Sequence, residues 1–119
     1  MRKLFFSLIL VLFGMTLAKA GEVDVLSVEV RKSGEQYRFA VTVEHGDEGW
    51  DHYADGWEVV DKDGTIYGKR VLAHPHVDEQ PFTRAGTFEI PEGVNSVIIR
   101  AHDSVHGNGG IEMEVALPE

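Results

Sequence analysis

The sequence predicts an all-β domain. After residue 20, no stretch of eleven or more residues repeats its apolar side chains with the 3.6-residue period of an amphipathic helix. Short blocks of alternating apolar and polar residues recur instead, separated by turn-forming residues. Seven such blocks follow residue 20, a spacing typical of an antiparallel β-sandwich. A length of 119 residues leaves room for one domain.

The first four predicted strands form two pairs. Residues 23–30 alternate with one phase slip at Val25-Leu26, which indicates a β-bulge. Residues 37–43 place aromatic and branched side chains on one face. Residues 57–60 and 65–72 flank a turn that ends in Asp63-Gly64, a strong hairpin signal.

The other three predicted strands are residues 87–90, 96–101 and 111–117. Long polar or glycine-rich connections at 44–56, 73–84 and 102–110 are predicted to be loops. The number of strands resembles the immunoglobulin or fibronectin type III sandwich, without the cysteine pair of immunoglobulin domains. That resemblance makes Trp57 the expected core tryptophan.

The first twenty residues have the pattern of a secretory signal peptide. Arg2 and Lys3 precede an apolar run, and Ala18 and Ala20 fit the small-residue rule for cleavage before Gly21. The run is short for a membrane span, so we expect no stable membrane insertion. No cysteine follows the predicted cleavage site, so lipoprotein-type attachment is not expected. We therefore expect a soluble protein of the periplasm or the medium, with residues 21–119 as a single domain.

Charge and cysteine content exclude several functions. Three of the 11 basic residues and none of the 20 acidic ones lie in the first twenty positions, so the remaining chain is strongly acidic. Such a surface repels nucleic acid and anionic membranes. The absence of cysteine excludes disulfides, thiolate nucleophiles and cysteine-ligated metal clusters.

All six histidines fall in the three long loops. If successive strands run antiparallel, these loops lie together at one end of the sandwich, and the short, histidine-free turns lie at the other. The long loops also carry many Asp and Glu residues, with Arg84 as their one cation. A rim rich in imidazole and carboxylate groups favours a metal cation.

Within this rim, two motifs supply the candidate ligands. His74-Pro75-His76 places two imidazoles on the same side of an extended segment, about 6.6 Å apart by strand geometry, and Asp78 continues that phase. His102 and His106 form an i, i+4 pair that meets only if the glycine-rich segment turns. The predicted metal ligands, with His74 and His76 the principal pair, are His74, His76, His102, His106, His52 and Asp78. Asp51 or Asp103 is an alternative source of an oxygen ligand or of a group that orients a ring.

Histidine nitrogen together with carboxylate oxygen suits Cu(II) or Zn(II) better than Mg²⁺ or Ca²⁺. No organic cofactor and no catalytic residue is predicted, since Ser104 lacks a nucleophile motif around it. The alternative is a metal-free module that binds a periplasmic protein partner through a face whose histidines gain charge between about pH 7 and 5. Aromatic residues of the first loop also suit a stacking platform, although core packing explains them better.

Three blocks resemble a group of short secreted bacterial proteins of unassigned function. The blocks are W-D-H-Y-A-D-x-W, H-P-H-V-D-E-Q-P-F-T-R and H-D-S-V-H-G, at residues 50–57, 74–84 and 102–107. No activity is established for that group, so the resemblance implies no catalytic role. The chain is unlike cupredoxins, which need a cysteine ligand, and unlike histidine-brace oxygenases, which need histidine at the mature N-terminus.

Overall fold

The computed structural model describes residues 22–119, so the predicted signal peptide and its cleavage site lie outside the described residues. Within this range the chain is all-β. Its strands are β1 (Asp24–Ser33), β2 (Gln36–Glu44), β3 (Ala54–Val60), β4 (Ile66–Val71), β5 (Phe82–Glu89), β6 (Ser96–Asp103), β7 (Gly107–Asn108) and β8 (Met113–Ala116). The described range contains no helix long and apolar enough to cross a membrane.

The described strands number eight, not the predicted seven. The extra strand is β7, two residues that pair with the end of β6 where the sequence predicts a loop. Its partner β6 also runs two residues further than predicted, to Asp103. A glycine-rich segment lacks the alternation of apolar and polar side chains that predicts a strand, so the sequence gives no sign of this pairing.

The strands form two antiparallel sheets. One has the order β1-β2-β5, and the other has the order β4-β3-β6-β7, with β8 pairing β6. A register shift between Val25 and Ser27 confirms the bulge that the phase slip predicts. The β3–β4 hairpin closes through backbone hydrogen bonds from Asp61 N to Thr65 O and from Gly64 N to Asp61 O. Gly64 has a φ of 92°, which favours glycine.

One hydrophobic core contains residues of both sheets. Trp57 is fully buried, as predicted, and its ring meets Phe88 edge-on at 6.0 Å between centroids. Phe39 of β2 and Ile99 of β6 are equally buried. This core holds the two sheets in place and fixes where each strand ends.

The three long connections meet at one end of the molecule, as predicted. Side-chain and backbone contacts join the β2–β3 loop to the β4–β5 loop and to the end of β6. Ser104 and Tyr53, for example, exchange two hydrogen bonds of 2.9 and 3.0 Å. The histidines of these loops are therefore brought close together by the sheet topology.

Candidate metal centre

The centre begins where two strands leave the core. In β2 the inward-facing side chains are Val41 and Val43, and two residues further the same phase places His45 inward. In β6 the same alternation places Asp103 inward after Ala101. The side chains of His45 and Asp103 have no exposed surface, and His45 Nε2 lies 3.1 Å from Asp103 Oδ2.

Two further histidines converge on the same carboxylate oxygen. His52 Nε2 lies 3.4 Å and His106 Nδ1 lies 3.1 Å from Asp103 Oδ2. His45, His52 and Asp103 each offer a ligand atom within 4.8 Å of the others, a group that could hold a metal ion. The rings of His52 and His45 pack edge to face at 4.7 Å between centroids.

The Asp103 carboxylate is held in its charged form. Burial alone raises the pKa of this carboxyl, but hydrogen bonds from the backbone and ring of His106, the backbone of Val105 and the ring of His52 outweigh it and lower the pKa to about 2. Both backbone N–H groups donate to Asp103 Oδ1. The other oxygen, Oδ2, is thus left to face the three imidazoles.

His45 and His52, the two inner histidines, each contact a second carboxylate through the other ring nitrogen. His45 Nδ1 lies 2.5 Å from Asp47 Oδ1, and His52 Nδ1 lies 2.8 Å from Glu48 Oε1. Metal-bound histidines usually donate their outer ring N–H to a carboxylate in this way, which orients the ring and fixes its tautomer.

This arrangement of donors and acceptors calls for a cation. A neutral imidazole has one N–H. If His45 donates it to Asp47, its Nε2 lone pair points at Asp103 Oδ2, and two acceptors then face each other at 3.1 Å without solvent. A metal ion bound by both atoms resolves the conflict. The residues present therefore fit a bound cation.

Asp47 also connects this centre to the β4–β5 loop. Its Oδ2 accepts a 2.7 Å hydrogen bond from the backbone N–H of His76. The Gln80 side chain also joins the backbones of His45 and His76. It accepts a hydrogen bond from His45 N at 3.0 Å and donates one to His76 O at 2.9 Å. The β4–β5 loop is therefore anchored to the centre through the backbone of His76.

The structure brings His74 and His76 together, but beside an arginine. Their rings lie 4.8 Å apart and tilted by 35°, and His76 stacks on Phe82 at 3.9 Å. Arg84 Nη2 donates to His76 Nε2 at 3.0 Å, which occupies that lone pair. Burial, together with the positive charges of Arg84 and His74, lowers the pKa of His76.

The remaining predicted ligands lie apart from the inner histidines. His102 Nδ1 lies 2.5 Å from Asp55 Oδ1, and Asp78 is exposed. Ser104 is exposed, and its hydroxyl anchors Tyr53. Among the predicted ligands, only His52 and His106 lie in the group around Asp103.

Sequence reasoning left His45 out of the ligand set, although it placed that residue on the rim. His45 is identified by its position in the inward-facing alternation of β2, which continues from Val41 and Val43. A polar residue that continues the inward alternation of a strand has its side chain carried toward the core, where it needs a partner. Asp103 has the same signal on β6, and the two residues are each other's partner.

No family model matches the chain. A "putative lipoprotein" of Halomicrobium mukohataei is 43% identical over 95 residues, which are 79% of this chain and 47% of the relative. The chain thus spans about half the length of the curated relative that it matches. The crystal structure of a superoxide reductase in the oxidised state superposes with a TM-score of 0.47 and 17% identity, over 82% of this chain and 90% of that one. A likeness of this size carries no inference about activity.

Proposed function

We propose that this protein binds one transition-metal ion through His45, His52 and Asp103. One observation supports this most directly: the Nε2 atoms of two histidines face the same buried carboxylate oxygen, while the Nδ1 atoms of both rings lie on other carboxylates. A hydrogen-bonding network of this kind orients the ligands before the ion arrives.

The dimensions of the centre suit such an ion. Zinc–nitrogen and zinc–oxygen bonds of about 2.0–2.1 Å imply an edge of about 3.3 Å between neighbouring ligand atoms of a tetrahedron. The distances from Asp103 Oδ2 to His45 and His52 are 3.1 and 3.4 Å. Two imidazoles and one carboxylate favour Zn(II) or Cu(II) over Mg²⁺ or Ca²⁺. The two distances to Asp103 thus match the edges of such a tetrahedron.

The other predicted ligands remain a separate hypothesis. The rings of His74 and His76 lie 4.8 Å apart, and the Arg84 guanidinium donates to His76. A cation placed there is repelled by Arg84 and competes with it for His76 Nε2. We therefore favour the Asp103 group over the pair that the sequence predicts.

We further propose that the domain works outside the cytoplasm, after cleavage behind Ala20, and that it carries or buffers the ion. The basic-then-apolar first twenty residues support secretion, and the relative described as a lipoprotein agrees with an envelope location. The strand order β1-β2-β5 facing β4-β3-β6-β8 supports a fibronectin type III-like sandwich. Handling of the ion requires no catalytic residue.

The test is metal analysis of the purified chain together with thermal melts. We expect close to one Zn(II) or Cu(II) per chain, and added ion at 100 times its Kd raises the free energy of unfolding by about 2.7 kcal/mol. His52→Ala removes a ligand that is 15% exposed, so the fold tolerates the change and the stabilisation is lost.

His74→Ala is the matched control, and we expect it to bind like the wild type. No metal and no shift in melting would overturn the proposal and favour the metal-free interaction module. Loss of binding in His74→Ala with retention in His52→Ala would instead move the site to the β4–β5 loop.

A further inference from the structure

Apolar side chains face solvent at the end of the molecule where the long loops meet. Trp50 of the β2–β3 loop is 67% exposed, and Val105 of the β6–β7 turn is 58% exposed. Tyr53 is half-buried, and its ring meets the Trp50 ring edge-on at 5.6 Å between centroids. Core packing, which the sequence favours for the aromatic residues of this loop, therefore does not account for Trp50.

Hydrogen bonds bring the Trp50 loop and the Val105 turn next to each other. Ser104, which precedes Val105, donates its backbone N–H to Tyr53 O at 2.9 Å and accepts from Tyr53 N through its hydroxyl at 3.0 Å. The backbone N–H of Val105 donates to the buried Asp103 carboxylate at 2.8 Å, which fixes the turn. We call the surface formed by Trp50, Tyr53 and Val105 the apolar patch. It is presented by hydrogen-bonded turns.

The charge around the apolar patch is negative. Residues 44–56 and 102–110, the two segments that form the patch, contain no Lys or Arg. The Glu48 side chain is 71% exposed, and Asp51, next to Trp50 in the chain, is exposed as well. A second copy of this acidic chain, or an anionic lipid surface, would bring like charges together at the patch. A basic partner is attracted instead.

We infer that the apolar patch binds a segment of another protein that carries an apolar side chain between Lys or Arg residues. The apolar side chain packs against the Trp50 ring, and the basic groups pair with Glu48 and Asp51. Exposed tryptophan rings of this kind often dominate the binding energy of an interface. His52 and His106 adjoin the patch in the chain, but docking needs no ion. The inference therefore stands apart from the proposed metal site.

The experiment titrates the purified chain, in chelator and at low ionic strength, with the peptide Lys-Lys-Leu-Leu-Lys-Lys and follows the backbone amides by NMR. We expect saturable shifts at Trp50, Tyr53 and Val105, which weaken as salt is added. The peptide Lys-Lys-Ser-Ser-Lys-Lys has the same charge without the apolar side chains. We expect it to bind at least tenfold more weakly, because the patch then buries no apolar side chain.

Two variants locate the binding surface. Trp50→Ala removes the exposed ring, and we expect the Kd of the Leu peptide to rise about tenfold. Ile66→Ala is the matched control, because Ile66 is a large apolar residue that is 49% exposed, beside the β3–β4 turn at the opposite end of the molecule. We expect this variant to bind the Leu peptide like the wild type.

Four results would overturn the inference. They are no binding of the Leu peptide, equal binding of the two peptides, shifts confined to residues away from the patch, and unchanged affinity in Trp50→Ala. Saturable shifts at Trp50 and Tyr53 with the neutral disaccharide maltose, and none with the Leu peptide, would assign the patch to sugar stacking instead. Each of these outcomes leaves the proposed metal site untouched, since its own test is metal content and melting.

Discussion

Substitution of Asp103 by Asn tests the buried carboxylate at the centre of the site. Asn keeps the size of Asp and one acceptor oxygen, but it removes the charge that three imidazoles and two backbone N–H groups face. Hydrogen bonds to a charged group contribute more than those to a neutral one. The metal-free protein is the right material, because the effect then belongs to the fold alone.

The size of the effect follows from the pKa of Asp103. Its folded-state value is about 2, against an ordinary value of 3.8. A difference of this size corresponds to about 2 kcal/mol of stability. Because the folded-state pKa is lowered, this stability is fully present above about pH 5 and is lost as the pH falls from about 4 through 2.

The assay is urea unfolding of wild type and Asp103→Asn, in chelator, at pH 5 and pH 3. At pH 5 we expect the variant to be less stable by about 2 kcal/mol. At pH 3 the gap should narrow by about 1 kcal/mol, since protonation of Asp103 in the unfolded state already removes part of the wild-type advantage. A gap that stays constant between the two pH values would refute the account of Asp103 as a charged, hydrogen-bonded group.

Two further predictions concern the packing of Gly68 and the carboxylate of Glu48. A Cβ at Gly68 would lie 2.3 Å from the Phe88 ring, so Gly68→Ala should lower the free energy of unfolding by about 1–3 kcal/mol. Gly46 is the control, because no atom lies within 4 Å of a Cβ built there, and urea unfolding of Gly46→Ala should match the wild type. Equal stability of the Gly68 and Gly46 variants would contradict the close packing of Gly68 against the Phe88 ring. Glu48→Ala should weaken Zn(II) binding about tenfold or more in calorimetric titration, because His52 loses the acceptor that orients its ring. Unchanged affinity would show that Glu48 is a solvent-exposed carboxylate with no role in orienting His52.

Local sequence patterns located seven of the described strands, although β5 begins at Phe82, five residues before its predicted start. The phase slip at Val25-Leu26 marked a real bulge, and Asp63-Gly64 marked a real hairpin, because both depend on a few adjacent residues. Trp57 was assigned to the core from its place in the third strand. β7 was missed, since its two residues pair only because β6 lies beside them.

The sequence predicted that the histidine-bearing loops meet, but not which of their side chains come into contact. Antiparallel order brings the three long loops to one end, so His52 and His106 were correctly placed at a common rim. Which rings converge depends on contacts distant in sequence. The backbone N–H of His76 bonds Asp47, and its ring bonds Arg84. The sequence spacing of His74 and His76 predicts neither contact.

The proposed ion sits between His45, His52 and Asp103. Crystals of the full chain grown with Zn(II), with diffraction data collected on both sides of the zinc absorption edge, locate the ion directly. We expect one strong anomalous peak at about 2.0–2.2 Å from His45 Nε2, His52 Nε2 and an oxygen of Asp103. A peak at His74 and His76 instead, or zinc-soaked crystals with no peak near Asp103, would contradict it.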